Sequence, residues 1–138
     1  MLTKTENIAP KKLLIVDDSA EIRNGLKRFV AELSSIELVG EAEDGISALE
    51  MIDKLKPDFV TLDIKMPGLT GIMTLQEIKR KYPLITVLML TNFTFDHYRH
   101  VCKKEGADYF FDKSHEFVQM IDTLKFLSDD SISNKKAN

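Results

Sequence analysis

Short apolar runs alternate along the chain with stretches whose apolar positions recur at helical spacing. Leu13-Leu14-Ile15-Val16 is a strand-length run that stops at Asp17-Asp18. Ile22, Leu26, Phe29, Val30 and Leu33 then fall at i, i+4, i+7, i+8 and i+11, one face of a helix. Glu37 to Ala42 is a second short strand candidate, and Gly45 opens a helical stretch with Ala48, Leu49, Ile52 and Leu55 on one side. Pro57 stops it. Phe59 to Leu62 is the third strand candidate, ending in Asp63, and Pro67, Gly68 and Gly71 mark a loop. Ile72, Leu75, Ile78 and Tyr82 line the next helix, which Pro83 ends. Ile85 to Leu90 is nearly continuously apolar, as in a strand covered on both faces. Phe95 to Glu105 reads as helix with Gly106 as its stop, Tyr109 to Phe111 as a last strand, and Phe117, Met120, Ile121, Leu124 and Leu127 as a final amphipathic helix.

Five strands alternating with five helices predict an α/β fold: right-handed crossovers and a parallel sheet with helices on both faces. In such open sheets the functional site lies beyond the carboxyl ends of the strands, where the strand order reverses. The residues at those ends are Asp17, Asp18, Asp63, Thr91, and Asp112 with Lys113.

Composition narrows the class. The 138 residues suit one domain, with a polar extension over 1–11 and a polar tail over 128–138. Hydrophobic residues at 43% and charged residues at 30% describe a globular chain. A net charge of −3 offers no general attraction to nucleic acid or to an anionic membrane, so neither is expected as a direct partner. Cys102 is the single cysteine, which excludes an internal disulfide. No apolar run approaches the roughly 20 residues of a membrane span, and the polar start lacks a signal peptide's apolar core. The expected location is cytoplasmic.

Three carboxylates brought together need either a shared proton or a cation. Oxygen-only ligands suit a hard ion, and few carboxylates with room for water suit Mg²⁺ better than Ca²⁺. Lys113 adds a fixed positive charge and Thr91 a hydroxyl. Around Asp63 these amount to a receptor for a phosphoryl group. Taken singly, each residue has an ordinary structural use. Asp18 can cap a helix with Glu21 three residues on, Asp63 can sit in a turn, Thr91 can cap, and Lys113 can be a solvated lysine. Their common position at one sheet edge carries the functional reading.

Leu14-Ile15-Val16-Asp17-Asp18, Asp63-Ile64-Lys65-Met66-Pro67 with Gly71, Leu90-Thr91, and Gly106-Ala107-Asp108 through Lys113 resemble the receiver domains of two-component response regulators, single-domain type. The resemblance spans about 12–127. It implies a flavodoxin-like (βα)5 fold with strand order 2-1-3-4-5. It makes Asp63 the phospho-acceptor, with the phosphoryl group supplied by a sensor histidine kinase or a phosphotransfer protein. Asp18, Asp63 and the backbone carbonyl of Lys65 would ligate Mg²⁺ directly, and Asp17 through water. Lys113 would contact a phosphoryl oxygen, and Thr91 would follow that group when the switch is thrown. The protein would catalyse only its own labelling and unlabelling. Its output would be a partner face built from the fourth helix, fifth strand and fifth helix, where Arg99, Lys103 and Lys104 form a small basic patch, read either by a protein target or by phosphorylation-dependent dimerisation of an otherwise monomeric chain.

Some positions depart from the family pattern. Phe110 stands where a switch tyrosine is commoner, so the usual terminal hydrogen bond is missing. Ser114 replaces a frequent proline after Lys113 and is expected to cap the last helix, with Glu116 in its first turn. Lys65 and Phe93, two residues beyond Asp63 and Thr91, flank the path of the hydrolytic water, and a bulky Phe93 is expected to slow dephosphorylation. His97 and His100 lie three apart but lack further ligands, so a metal site there is not expected. Two other functions compete: the receiver part of a longer DNA-binding regulator, and a haloacid-dehalogenase-type phosphatase. The second is disfavoured because its Asp-x-Asp spacing is absent from Asp17-Asp18.

Overall fold

The computed structural model describes residues 9–129. The elements are β1 (Lys11–Val16), α1 (Ala20–Val30), β2 (Ile36–Ala42), α2 (Gly45–Leu55), β3 (Phe59–Leu62), α3 (Gly71–Lys81), β4 (Thr86–Thr91), α4 (Asp96–Lys104), β5 (Tyr109–Asp112) and α5 (Phe117–Ser128). All strand pairs are parallel, in the order β2-β1-β3-β4-β5. The expected strands and helices are all present, within a residue or two at their ends except that α1 stops at Val30, three residues short of Leu33. Lys11 already belongs to β1, and Ser128 is the last residue of α5 rather than the first of a tail. Ser128 is buried, and its hydroxyl bonds that of Ser35 at 2.6 Å. The rest of the expected extension and tail lies almost entirely outside the described residues.

Alternation along the central strands sends side chains to two separate cores. Leu14, Val16, Val60, Leu62, Val87 and Met89 pack with Ala48 and Ile52 of α2, Leu75 and Ile78 of α3, and Cys102 of α4. Leu13, Ile15, Phe59, Leu88 and Leu90 pack on the other face with Leu26 and Val30 of α1 and Met120, Ile121 and Leu124 of α5. Each fully buried Leu or Ile contributes about 1.5–3 kcal/mol, against about 0–1 for a surface ion pair. The two cores therefore decide where the strand ends lie. One expected core residue, Phe29, is instead 46% exposed and sets its ring edge-on to Phe117 of α5. Cys102 is fully buried, which pushes its thiol up to about 11 and leaves it a neutral packing group.

Helix ends follow local chemistry. Ser19, Asp44 and Thr70 each accept a backbone N–H from the first turn of α1, α2 and α3. Lys56 leaves α2 in the left-handed region (φ 48°), immediately before Pro57. At the amino edge of the sheet the ties are complete. Lys79 donates to the Ile85 carbonyl at 2.5 Å and to Asp108 at 2.8 Å, and the same Asp108 oxygen accepts the Val87 N–H at 2.8 Å.

Thr61 is an exception within the core. It is 1% exposed, in register with Ile15 and Leu88, and its hydroxyl has no partner among the described residues. Thr61→Val replaces an unsatisfied buried hydroxyl with a methyl of similar size. The substitution should raise the unfolding free energy by about 1 kcal/mol, read by urea denaturation; a loss of stability would show that the hydroxyl has a partner after all.

Candidate functional site

Strand register assembles the site. Val16 of β1 pairs with Leu62 of β3, so Asp17 and Asp63 leave the sheet side by side. The Asp63 N–H donates to the Val16 carbonyl at 3.2 Å, and the Asp17 N–H to Ala42 of β2 at 3.0 Å. On the other side Thr91 pairs with Asp112, and the Lys113 N–H donates to the Thr91 carbonyl at 2.9 Å. The β1–β3 boundary is also where the chain reverses its direction across the sheet.

The loop after β3 needs a glycine. Gly71 N–H bonds the Ile64 carbonyl at 2.7 Å, and a Cβ at Gly71 would lie 1.9 Å from the Asp63 carbonyl oxygen. No side chain fits there, so Gly71 lets α3 close under Asp63.

One oxygen each from Asp17, Asp18 and Asp63 lies within 4.8 Å of the others. The Lys113 ammonium bridges Asp17 at 2.7 Å and Asp63 at 2.8 Å, with its side chain only 9% exposed. Asp17 also accepts the Ser19 N–H at 2.8 Å, and Asp63 the Ile64 N–H at 2.7 Å. Asp18 is exposed, and its carboxylate takes no hydrogen bond or ion pair among the described residues. Its helix-capping alternative does not hold, because Ser19 is the N-cap of α1.

Burial pushes Asp17 above its ordinary range, against the bonds from Lys113 and Ser19, and the neighbouring Asp63 pushes the same way. Burial also works against the charge on Lys113, but bonds to both carboxylates outweigh it and hold its pKa above the ordinary value. One ammonium with two carboxylates is well served; each carboxylate has only a share of it. Formally, three carboxylates against one ammonium leave two negative charges. The donor set fits a hard divalent cation: oxygen atoms only, two of them on buried carboxylates and one on a carboxylate without a protein partner. No protein group among the described residues donates to the Lys65 carbonyl.

The remaining candidates lie on β3–β5 and the loops that follow them. Thr91 is fully buried, and its hydroxyl accepts the Phe93 N–H at 3.1 Å. Lys65 is exposed, with its ammonium 5.6 Å from the Phe93 ring centre, and Phe93 meets Tyr98 edge-on. Phe110 is half-buried on β5, with the Arg99 guanidinium 4.7 Å above its ring. Arg99 also donates to the Thr94 carbonyl at 3.1 Å. Ser114 does not cap α5: its hydroxyl donates to Asn92 at 2.8 Å, and the N-cap residue is Glu116. The Glu116 carboxylate turns back to the Asp112 N–H at 2.8 Å instead of serving the helix start. The Lys113–Ser114 peptide is trans. Sequence reading missed Arg23, which donates to the Asp17 carbonyl at 2.6 Å; its place one turn after the acidic pair was the available signal.

This five-stranded parallel sheet, with its acidic cluster and lysine at the carboxyl edge, has the flavodoxin-like architecture of a receiver module. A family model for the response regulator receiver domain matches residues 13–125, and the chain belongs to that family. It is a receiver domain of two-component signalling, the module of response regulators that accepts a phosphoryl group. The crystal structure of the response regulator domain of Thermotoga maritima CheB superposes with a TM-score of 0.79 at 32% identity, covering 91% of this chain and 98% of that one. A protein-glutamate methylesterase/protein-glutamine glutaminase of Carboxydothermus hydrogenoformans is 42% identical over 83% of this chain, but over only 34% of its own length. The response regulator GacA of Pseudomonas syringae is 30% identical over 84% of this chain and 54% of its own. The chain thus spans between a third and about half of these two relatives, and only their receiver segments are matched. No helix among the described residues is long and apolar enough to cross a membrane.

Among the described residues, Lys113→Met should remove the only ammonium shared by two buried carboxylates. In metal-free buffer at neutral pH the expected loss is about 3 kcal/mol of unfolding free energy, measured by denaturant titration. An unchanged stability would mean that Asp17 and Asp63 do not depend on that lysine.

Proposed function

We propose that Asp63 is the phospho-acceptor and that this receiver switches a protein-interaction face in response to a sensor histidine kinase or a phosphotransfer protein. The observation that supports it best is the pairing of Asp63 with Lys113 beside a carboxylate, Asp18, that no group among the described residues engages. In the proposed reaction an Asp63 carboxylate oxygen attacks the phosphorus of a phosphohistidine in line, the O–P bond forms as the N–P bond breaks, and the imidazole leaves. Lys113 already stands at hydrogen-bond distance from Asp63 and can follow a phosphoryl oxygen as charge develops there. Asp17, Asp18, Asp63 and the Lys65 carbonyl would hold Mg²⁺, which when bound neutralises charge on the transferring oxygens.

The readout begins at Thr91. Its hydroxyl is tied to the Phe93 N–H, so moving it toward a new phosphoryl oxygen releases or drags the loop that leads into α4. Phe110 follows this change as an aromatic ring under Arg99, with no hydroxyl to form a terminal bond. The α4–β5–α5 face, with Lys103 and Lys104, is the surface this movement reaches.

A second reading keeps the same chemistry and places the receiver in command of an effector on the same chain. The partial coverage of its relatives favours it, since in them the matched segment belongs to a longer protein. A methylesterase or a DNA-binding regulator would then be the output; the position of the gene's stop codon discriminates.

Incubation with Mg²⁺ and acetyl phosphate, followed by intact mass, should add one phosphoryl group to the parent and none to Asp63→Asn. Addition to both would assign the acceptor elsewhere. Phe93 and Lys65 are proposed to restrain the hydrolytic water, one by bulk and one by charge. Phe93→Ala should therefore shorten the phosphoryl half-life by several-fold, measured by the decay of the same mass species; an equal half-life removes Phe93 from the account.

A further inference from the structure

The turn that carries the acidic pair is held by a cation with no part in the proposed phosphoryl transfer. Arg23 lies one turn into α1 and is only 14% exposed. Its Nη1 donates to the Asp17 carbonyl at 2.6 Å, and its Nε donates to Glu41 Oε1 at 2.8 Å. Glu41 stands on β2 opposite Ile15 of β1, and its other oxygen accepts Lys27 Nζ at 2.7 Å. The Arg23 N–H in turn bonds the Ser19 carbonyl at 3.1 Å. The turn is therefore gripped from both sides, by the first turn of α1 and by the neighbouring strand.

The Asp17 carbonyl belongs to the peptide unit that joins Asp17 to Asp18. That unit is planar, so holding its oxygen sets the rotation of the whole plane and with it the place of the Asp18 Cα from which the side chain departs. The Asp18 carboxylate takes no partner of its own among the described residues, so no hydrogen bond of its own aims it. We propose that Arg23 is a positioning residue that orients the Asp17–Asp18 peptide, so that both carboxylates face Asp63 before a cation arrives. It acts by the geometry of its planar fork more than by charge. Its charge is spent on Glu41, a carboxylate that bonds from Lys27 and Arg23 hold below the usual range. The proposal rests on the reading of Asp17, Asp18 and Asp63 as a divalent-cation site.

The test is Mn²⁺ binding to the metal-free full chain, followed by electron paramagnetic resonance of the free ion, with thermal unfolding recorded alongside. Arg23→Gln should weaken Mn²⁺ binding about tenfold, the lower end of the effect of removing a residue that orients a ligand. Arg23→Lys keeps the charge without the fork and should stay weakened by several-fold; it also serves if Arg23→Gln does not fold. Lys79→Met removes a tie at the far edge of the sheet and should lower the Tm without changing Mn²⁺ affinity. Unchanged affinity in Arg23→Gln, full recovery in Arg23→Lys, or an equal loss in Lys79→Met would each overturn the positioning role. A parent chain that binds no Mn²⁺ overturns the cation-site reading itself, a result separable from the others because it is seen before any substitution is made.

Discussion

The Lys113 ammonium, shared between Asp17 and Asp63, is the interaction on which the rest of the molecule turns. Its side chain is 9% exposed and the two carboxylates are buried, so none of the three is relieved by bulk water. A buried pair missing one partner is strongly unfavourable, yet this cluster has a carboxylate to spare. Burial raises Asp17 against its bonds from Lys113 and Ser19, and bonds to the two acids hold Lys113 above its ordinary value in spite of burial; formally the three carboxylates outnumber the one ammonium. That shortage makes the site receptive. A divalent cation would supply the missing charge, and in the proposed reaction a phosphoryl group on Asp63 would then have both a cation and an ammonium within reach.

The two edges of the sheet are built to different ends. At the amino edge Lys79, Asp108, Ile85 and Val87 satisfy one another. At the carboxyl edge Asp18 is left without a partner among the described residues, while the groups around it are tightly held: Asp17 by Ser19, Lys113 and Arg23, and Asp63 by Ile64 and Lys113. Rigid surroundings and one uncommitted ligand are what a preorganised ion site requires, because the entropy of ordering it has been met during folding. The cores on both faces of the sheet supply that rigidity.

The path away from the site is aromatic. Thr91 holds the Phe93 amide, Phe93 meets Tyr98, and Arg99 lies on Phe110 while bonding Thr94. Aromatic and cation–π contacts are weak individually and broad in geometry. In the proposed switch such contacts would follow a shift of α4 alongside the Thr91–Phe93 and Arg99–Thr94 hydrogen bonds, and Phe110 adds no hydroxyl bond to them.

Alternation of apolar runs with helical stripes was enough to read five strands, five helices and the sheet edge that carries Asp17, Asp18, Asp63, Thr91 and Lys113, because burial imposes periods of 2 and 3.6 on local sequence. The residue types at the strand ends were enough to propose the chemistry, since carboxylates beside a lysine suit a cation and a phosphoryl group. Other features were invisible there. Ser19, and not Asp18, caps α1; Ser114 reaches across to Asn92 instead of capping α5; Phe29 leaves the core to meet Phe117; and Arg23 grips the Asp17 carbonyl. Each depends on where a second element comes to rest. Local periodicity reports which face of an element is buried, while the partner of a polar side chain is chosen by distances through space that exist only once the sheet has assembled.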